Sequence, residues 1–375
     1  MRGIVIAAVC GGFALVIGLP ATAQAQHGRP PMVYEVVSIS AKALQIFPGE
    51  TASEARDINN LGEVVGWSTT STGWRHAFKR ALLGSTVDLG SAYPSNDTIA
   101  LGINDHSEVV GYRLDDYAEA RPFYWAAIGG WVNLSRNYGE GEDARGEASA
   151  INNFGRIVGT LKLPASIHAN PVTWWHRSAA PQVFYAPSTA DGGWMTDVSD
   201  SGWLVGMEHE PGTTRGFRYR LGTVEYPPDP SPVADGTVNA VNEAGTVVGS
   251  TRYPAYGRRA IRYRLTGSPL ILGLLPGGTD SEAFDINEAE FVVGSSNMEV
   301  QRGAEARVRA FLFHLELGML ELPPPADYPI ALTDCRANAL NDRKNNGLIQ
   351  VAGYCTRDGK RQAVRWDVFV SEHAQ

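Results

Sequence analysis

The stretch Ile58-Asn59-Asn60-Leu61-Gly62-Glu63-Val64-Val65-Gly66 decides the fold, because the chain keeps returning to it. INDHSEVVG starts at Ile103, INNFGRIVG at Ile151, VSDSGWLVG at Val198, VNEAGTVVG at Val241 and INEAEFVVG at Ile286. A stretched seventh copy runs from Leu340 to Gly353. The polar residue that opens each turn is Asn59, Asn104, Asn152, Ser199, Asn242, Asn287 and Asn341, at intervals of 45, 48, 47, 43, 45 and 54 residues. Self-similarity at this period is the signature of a repeat array or propeller.

Each period spells one programme. A short strand ends in Ile-Asn, a tight turn follows, and a second strand of the EVVG type leaves it. Asn at the head of the turn can bond its own backbone two residues on, and Gly62, Gly155, Gly202 and Gly245 accept positive φ. Ser107 and Glu290 stand where those glycines stand, which predicts that positive φ is not required in every copy. The Gly after Val-Val recurs in all seven copies, as at a bulge or a close backbone approach.

A polar loop leads to a third strand (HAFKR at His76, RPFYW at Arg121, RGFRYR at Arg215, RAFLFH at Arg309). A fourth strand, such as TVDLG or WVNLS, closes the unit. Alternation with aromatic and branched residues marks these as strands. Four antiparallel strands in about 45 residues match one propeller blade. Six units are complete and the seventh lacks its fourth strand, while Tyr34–Ile39 reads as a strand without a neighbour. The expectation is an all-β, seven-bladed β-propeller over residues 34–370, its last blade closed by the N-terminal strand. A parallel β-helix would explain neither the hairpin turn nor the lone strand.

The segments around the array read differently. Arg2, the apolar run Gly3–Leu19 and Ala23-Gln24-Ala25 have the form of a signal peptide cut after Ala25. Residues 26–33 read as a loose leader and 371–375 as a tail. No later segment approaches a membrane span, so the mature chain is expected to be exported, periplasmic or extracellular, and monomeric. Formal charge is −8, and −9 once Arg2 is removed. An acidic chain has no electrostatic case for nucleic acid. Of the three cysteines, Cys10 falls in the apolar leader, and Cys335 and Cys355 flank the seventh turn. In an oxidising compartment that pair predicts a disulfide between antiparallel neighbours.

The unit INxxGxVVG, a loop, HAF and a DLG-like strand resembles the bacterial extracellular repeats called the HAF family. The likeness spans essentially the whole mature chain, and His76-Ala77-Phe78 is its one literal HAF. It implies export and a repeat fold, and it assigns no catalytic residue.

Two residue sets fall on the face that carries the loops. The first heads the third strands: His76, Arg121, Asn170, Arg215, Arg259, Arg309 and Gln362. Arginine suits planar recognition of carboxylates or phosphates, although ion pairs at strand ends would account for it too. The second precedes each turn: Glu54, Asp97, Asp143, Glu147, Asp191, Asp235, Asp280 and Glu282. Converging carboxylates can hold Ca²⁺ or raise one another's pKa, but no DxDxDG spacing is present and ordinary polar connections would serve. No cofactor is otherwise implied. Trp125, Trp174, Trp175, Tyr219, Tyr263 and Trp366 end third strands, where blade packing would use them. There is no GxSxG, HExxH, P-loop or dinucleotide fingerprint. The sequence therefore points to a non-catalytic binding module for an extracellular or envelope ligand (glycan, peptide or protein). His76, Arg121, Arg215, Arg259, Arg309, Asp280 and Glu282 are its candidate ligand residues. The alternatives are an exported propeller hydrolase or lyase on polysaccharide and a structural envelope protein.

Overall fold

The structure is a computed structural model and describes residues 32–135, 144–163, 168–184, 192–210, 213–231, 236–298, 307–330, 333–342 and 344–374. The expected signal peptide, Asp143, Asp191, Asp235 and residues 299–306 lie outside them.

Seven four-stranded antiparallel sheets form the seven blades of a β-propeller, and no α-helix occurs among the described residues. Each blade starts with its innermost strand: Ser53–Ile58, Thr98–Ile103, Arg145–Ile151, Gly193–Val198, Thr237–Val241, Gly278–Ile286 and Cys335–Leu340. Blades 1 to 6 take all four strands from one repeat. Blade 7 orders its strands as Cys335–Leu340, Leu348–Arg357, Lys360–Ala374 and then the N-terminal strand Met32–Ala43. The lone strand thus closes the circle as expected.

It does so over a longer span than the sequence suggested. Met32 pairs with Ala374 and Val33 with His373, so Met32 and Val33 are strand rather than leader and 371–374 are strand rather than tail. These ends hold each other, and neither has a strand signature alone.

The core lies between blades, where small and aromatic side chains alternate. Phe78, Phe123, Phe217 and Phe311 follow the heads of third strands and are wholly buried, as are Trp174 and Trp366. Trp175 is the exception among the aromatics expected in the core. It is 54% exposed and stacked under Arg156.

The recurrent glycine of the second strand is fixed by contact. A Cβ on Gly66 would sit 2.0 Å from the Glu54 carbonyl, and one on Gly249 1.9 Å from that of Thr237. The first strand bulges opposite it in every blade, at Arg56, Leu101, Ser149, Thr196, Asn239, Phe284 and Asn338. The turn keeps positive φ even without glycine, at Ser107 (62°) and Glu290 (61°), contrary to the expectation. Neighbouring blades over-determine the turn, so two copies carry a strain of roughly 1 kcal/mol each. Cys335 and Cys355 are directly opposed cross-strand neighbours and form the predicted disulfide.

Candidate functional site

The two ends of the propeller axis are built in opposite ways. At the end bearing the turns, each Asn side chain caps its own turn and also reaches the next blade. Asn152 Oδ1 accepts from the N–H groups of Phe154 (3.1 Å) and Arg156 (2.9 Å), while its Nδ2 donates to the Ser199 carbonyl (2.9 Å). The same inter-blade bond joins Asn59 to Asn104, Asn104 to Asn152, Asn242 to Asn287, Asn287 to Asn341 and Asn341 back to Asn59. Where Ser199 replaces Asn, Ser201 Oγ bridges to the Glu243 carbonyl instead (2.8 Å).

The next residue makes a second circle. The backbone N–H of Asn60 donates to the side chain of Asp105, Asp105 to Asn153, Asn153 to Asp200, Asp200 to Glu243, Glu243 to Glu288, Glu288 to Asp342 and Asp342 to Asn60. The ring closes after seven steps. Inside it lies a shallow basin of about 330 Å³.

Deeper on the same strands, Asp57, Asp197 and Asp285 each bridge two backbone N–H groups, one on their own strand and one on the next blade. Asp57, for instance, accepts from Ile58 (2.7 Å) and Ile103 (2.8 Å). Asp197 takes Val198 and Val241, and Asp285 takes Ile286 and Leu340. Burial outweighs these donors and pushes Asp57 up to about 7, Asp197 to about 6 and Asp285 well above the carboxylate range. Burial also raises Glu288 to about 7, with Asp342, Glu243 and Asp200 adding repulsion. These acids interlock the turns. Among the described residues no group of three or more His, Cys, Asp or Glu is placed to hold a metal ion.

On the loop face, the third-strand heads clasp their surroundings. His76 Nδ1 lies 3.0 Å from the Asp88 carboxylate, which also accepts from Gly90 N–H (2.8 Å). A Cβ on Gly90 would fall 2.5 Å from the His76 ring. HAF and DLG are therefore the two halves of one intrablade contact. Arg121 pairs with Asp115 (2.8 Å) and reaches the Ala144 carbonyl (3.4 Å). Arg259 donates to the carbonyls of Arg258 (2.9 Å) and Thr279 (2.7 Å). Arg309, buried, donates to the Ile330 (2.7 Å) and Thr333 carbonyls and lies 3.4 Å from Glu321, the counterpart of Asp88. Arg215 stacks at 3.9 Å on Tyr226 and lines a groove of about 280 Å³ between blades 4 and 5. Asp280 accepts from the Arg258 N–H (2.7 Å).

Glu282 is placed otherwise, with side chains near the loop-face end of the axis. Glu54, nearly buried, pairs with Arg56 (2.9 Å) and Arg361 (2.6 Å). Arg361 stacks over Tyr354, and Arg336 lies 3.6 Å over Phe284. Glu282 receives one long contact from Asn239 Nδ2 (3.4 Å). Glu147, on blade 3, makes no hydrogen bond or ion pair among the described residues; burial pushes its carboxyl up, opposed by Arg56 of blade 1. Glu54, Glu147 and Glu282 belong to the acidic set expected here. Arg56, Arg336 and Phe284 do not, and sequence reasoning missed them.

No family model matches the chain, and no curated protein matches it in sequence. Solved structures do. A post-proline cleaving enzyme from Rickettsia typhi is similar at 10% identity and a TM-score of 0.51, over 81% of this chain and 51% of that one. A gluconolactonase from Xanthomonas campestris matches at 9% identity and TM-score 0.40, over 92% and 99% of the two chains. A Trypanosoma rangeli sialidase matches at 11% identity and TM-score 0.40, over 87% and 59%. This chain spans about half the length of the post-proline cleaving enzyme. At these identities the likeness is one of fold alone.

Proposed function

We propose that the chain is an exported repeat protein of the HAF type that acts as a non-catalytic binding module. Its ligand engages the loop-face end of the axis. One observation carries this reading: around that end Arg336 and Glu147 make no side-chain hydrogen bond or ion pair among the described residues, and on blade 4 both oxygens of the buried Glu208 lack a partner, while the opposite end spends its axial groups on two closed rings. Unpaired half-buried charge costs free energy in the unliganded fold, and ligand contacts offset that cost. The Cys335–Cys355 disulfide supports an oxidising compartment.

The test is thermal unfolding of the mature chain with glucose, cellobiose, glucuronate, oligogalacturonate and short peptides. A compound that binds only the folded state raises the midpoint, by about 2.7 kcal/mol of stabilisation at a hundredfold excess over Kd. A shift suppressed by Glu147→Gln or Glu282→Gln supports the reading. A shift that survives both and disappears with Asp342→Asn moves the site to the turn end and overturns it.

The raised carboxyl of Glu147 favours a second reading, a polysaccharide hydrolase using it as general acid. Release of new reducing ends, abolished by Glu147→Gln, would establish that reading in place of the first.

A further inference from the structure

Arg336 opens a specific question, because no carboxylate of the fold pairs with its guanidinium among the described residues. It lies on the innermost strand of blade 7, opposite Tyr354 on the neighbouring strand. Its guanidinium covers the ring of Phe284, the bulge residue of blade 6, at 3.6 Å. Its Nε is buried with no hydrogen-bond partner. No hydrogen bond or ion pair to its guanidinium exists among the described residues, although carboxylates lie nearby. Glu54 is already engaged by Arg56 and Arg361, with Asn338 Nδ2 at 3.4 Å. Glu282 faces Asn239 instead. The aromatic ring holds the guanidinium plane in one orientation, so the donor fork is pre-organised at little further cost in side-chain entropy.

We infer that Arg336, braced on Phe284, anchors a site for a small organic acid that also carries hydroxyl groups, of the sugar-acid type. This rests on the loop-face reading above and adds to it the ligand's chemistry. A planar fork with five donors matches a carboxylate through two parallel hydrogen bonds. One unpaired cation calls for one negative charge. A phosphate monoester brings close to two, and Glu54 and Glu282 beside the site repel the excess. A neutral sugar leaves the guanidinium uncompensated. The hydroxyl requirement comes from Glu282, which lies near Arg336 and whose acceptor oxygens receive only one long contact, so that they need donors from the same small molecule.

The experiment is calorimetric titration of the mature chain with glucuronate, glucose, glucose 6-phosphate and alanine. Wild type is compared with Arg336→Gln and Arg336→Lys. Glucuronate should bind at least roughly tenfold more tightly than the other three. Arg336→Gln should lower its affinity by at least about tenfold, and Arg336→Lys, which keeps the charge and loses the fork, by less. Both variants should unfold close to the wild-type midpoint, because they remove no hydrogen bond or ion pair and only the ring contact with Phe284. Glucose or glucose 6-phosphate binding as tightly as glucuronate overturns the inference, as does alanine doing so. Undiminished glucuronate binding in Arg336→Gln also overturns it, and so does no glucuronate binding at all. A neutral saccharide whose binding is lost in Glu282→Gln but kept in Arg336→Gln would remove the Arg336 site while leaving the loop-face module standing. A panel without any shift would remove both.

Discussion

The turn end of the axis ties its blades together in two closed rings and the loop end does not. At the turn end, Asn152 satisfies three backbone groups with one side chain and the backbone amides of seven successive blades find seven side chains. At the loop end, Arg336 rests on a ring with its Nε unpartnered, and the Glu147 side chain makes no hydrogen bond or ion pair among the described residues. Repetition explains the difference. A residue that must match its copy on the next blade is repeated in every blade, whereas a residue that meets a ligand at one point on the axis has no copy. The repeated positions are architecture, and the irregular ones are where function is to be sought.

The largest effect should come from opening the circle. The N-terminal strand pairs along the C-terminal strand from Met32 to Ala43, and without it blade 7 loses its outer strand. Deleting residues 34–39 should abolish cooperative folding, while a chain beginning at Met32 should unfold like the mature protein. Circular dichroism melts of the two truncations decide this, and equal midpoints would refute closure by strand exchange.

Next in size is one link of the inner ring. Asn152→Ala strands two N–H groups and one carbonyl, all in the blade interior, for a loss of roughly 2–4 kcal/mol by chemical denaturation. Arg336→Gln should change stability by no more than about 0.5 kcal/mol. If the two substitutions cost the same, the contrast between the ends is false.

The acids of the turn end give that contrast a pH signature. Burial raises Asp57 to about 7 and Asp197 to about 6 in the folded state, from an ordinary aspartate value of 3.8. The folded state therefore binds more protons than the unfolded state between those limits. A raised folded pKa supplies stability that is complete below the unfolded value and lost as pH rises through the folded one. The unfolding midpoint should fall between about pH 4 and pH 7 for this reason, with Asp285 and Glu288 acting in the same direction. The triple variant Asp57→Ala, Asp197→Ala, Asp285→Ala gives these blades the small residues seen at Gly102, Ala150, Ala240 and Ala339, and it should flatten the slope. An unchanged slope would assign the dependence elsewhere.

Much of the architecture was legible because it is periodic. The turn Asn, the second-strand Gly, the number of blades and the strand needed to close the last one all follow from the spacing of one motif. The clasp of His76 on Asp88 was present in the letters HAF and DLG, yet its pairing was not, because the two are joined only across a strand pair. The outer ring was also visible, as the column Asn60, Asp105, Asn153, Asp200, Glu243, Glu288, Asp342 that follows each turn residue. It passed unread because six of the seven links span 43 to 54 residues and the closing one, Asp342 to Asn60, spans 282, beyond any local motif. Arg336 stands in the same column as Glu54, Glu147 and Glu282 of the acidic set, with Ile99, Trp194 and Thr237, so a search for shared acids passed over the one cation among them. Phe284 shares its column with Arg56, Leu101 and Asn338, and the bulge there breaks the alternation that would have aligned the two.

The fourth blade tests the repetition argument at its smallest scale. Ser199 is too short to reach blade 5, so the inter-blade bond there runs from Ser201 Oγ to the Glu243 carbonyl, and the Trp203 N–H is left with a long bond to Ser199 Oγ (3.2 Å). Ser199→Asn restores the side chain used by the other six turns. It also displaces the Ser199–Ser201 hydroxyl contact of 2.9 Å, so only part of a full hydrogen bond is gained. A stabilisation of about 0.5–1 kcal/mol is expected in denaturant titration. The double variant Ser199→Asn, Ser201→Gly should keep most of it, since Gly at 201 removes the substitute bridge that Asn makes redundant. If the single variant is neutral or destabilising, blade 4 has settled around its own bridge, and the ring is a set of local solutions instead of one design copied seven times.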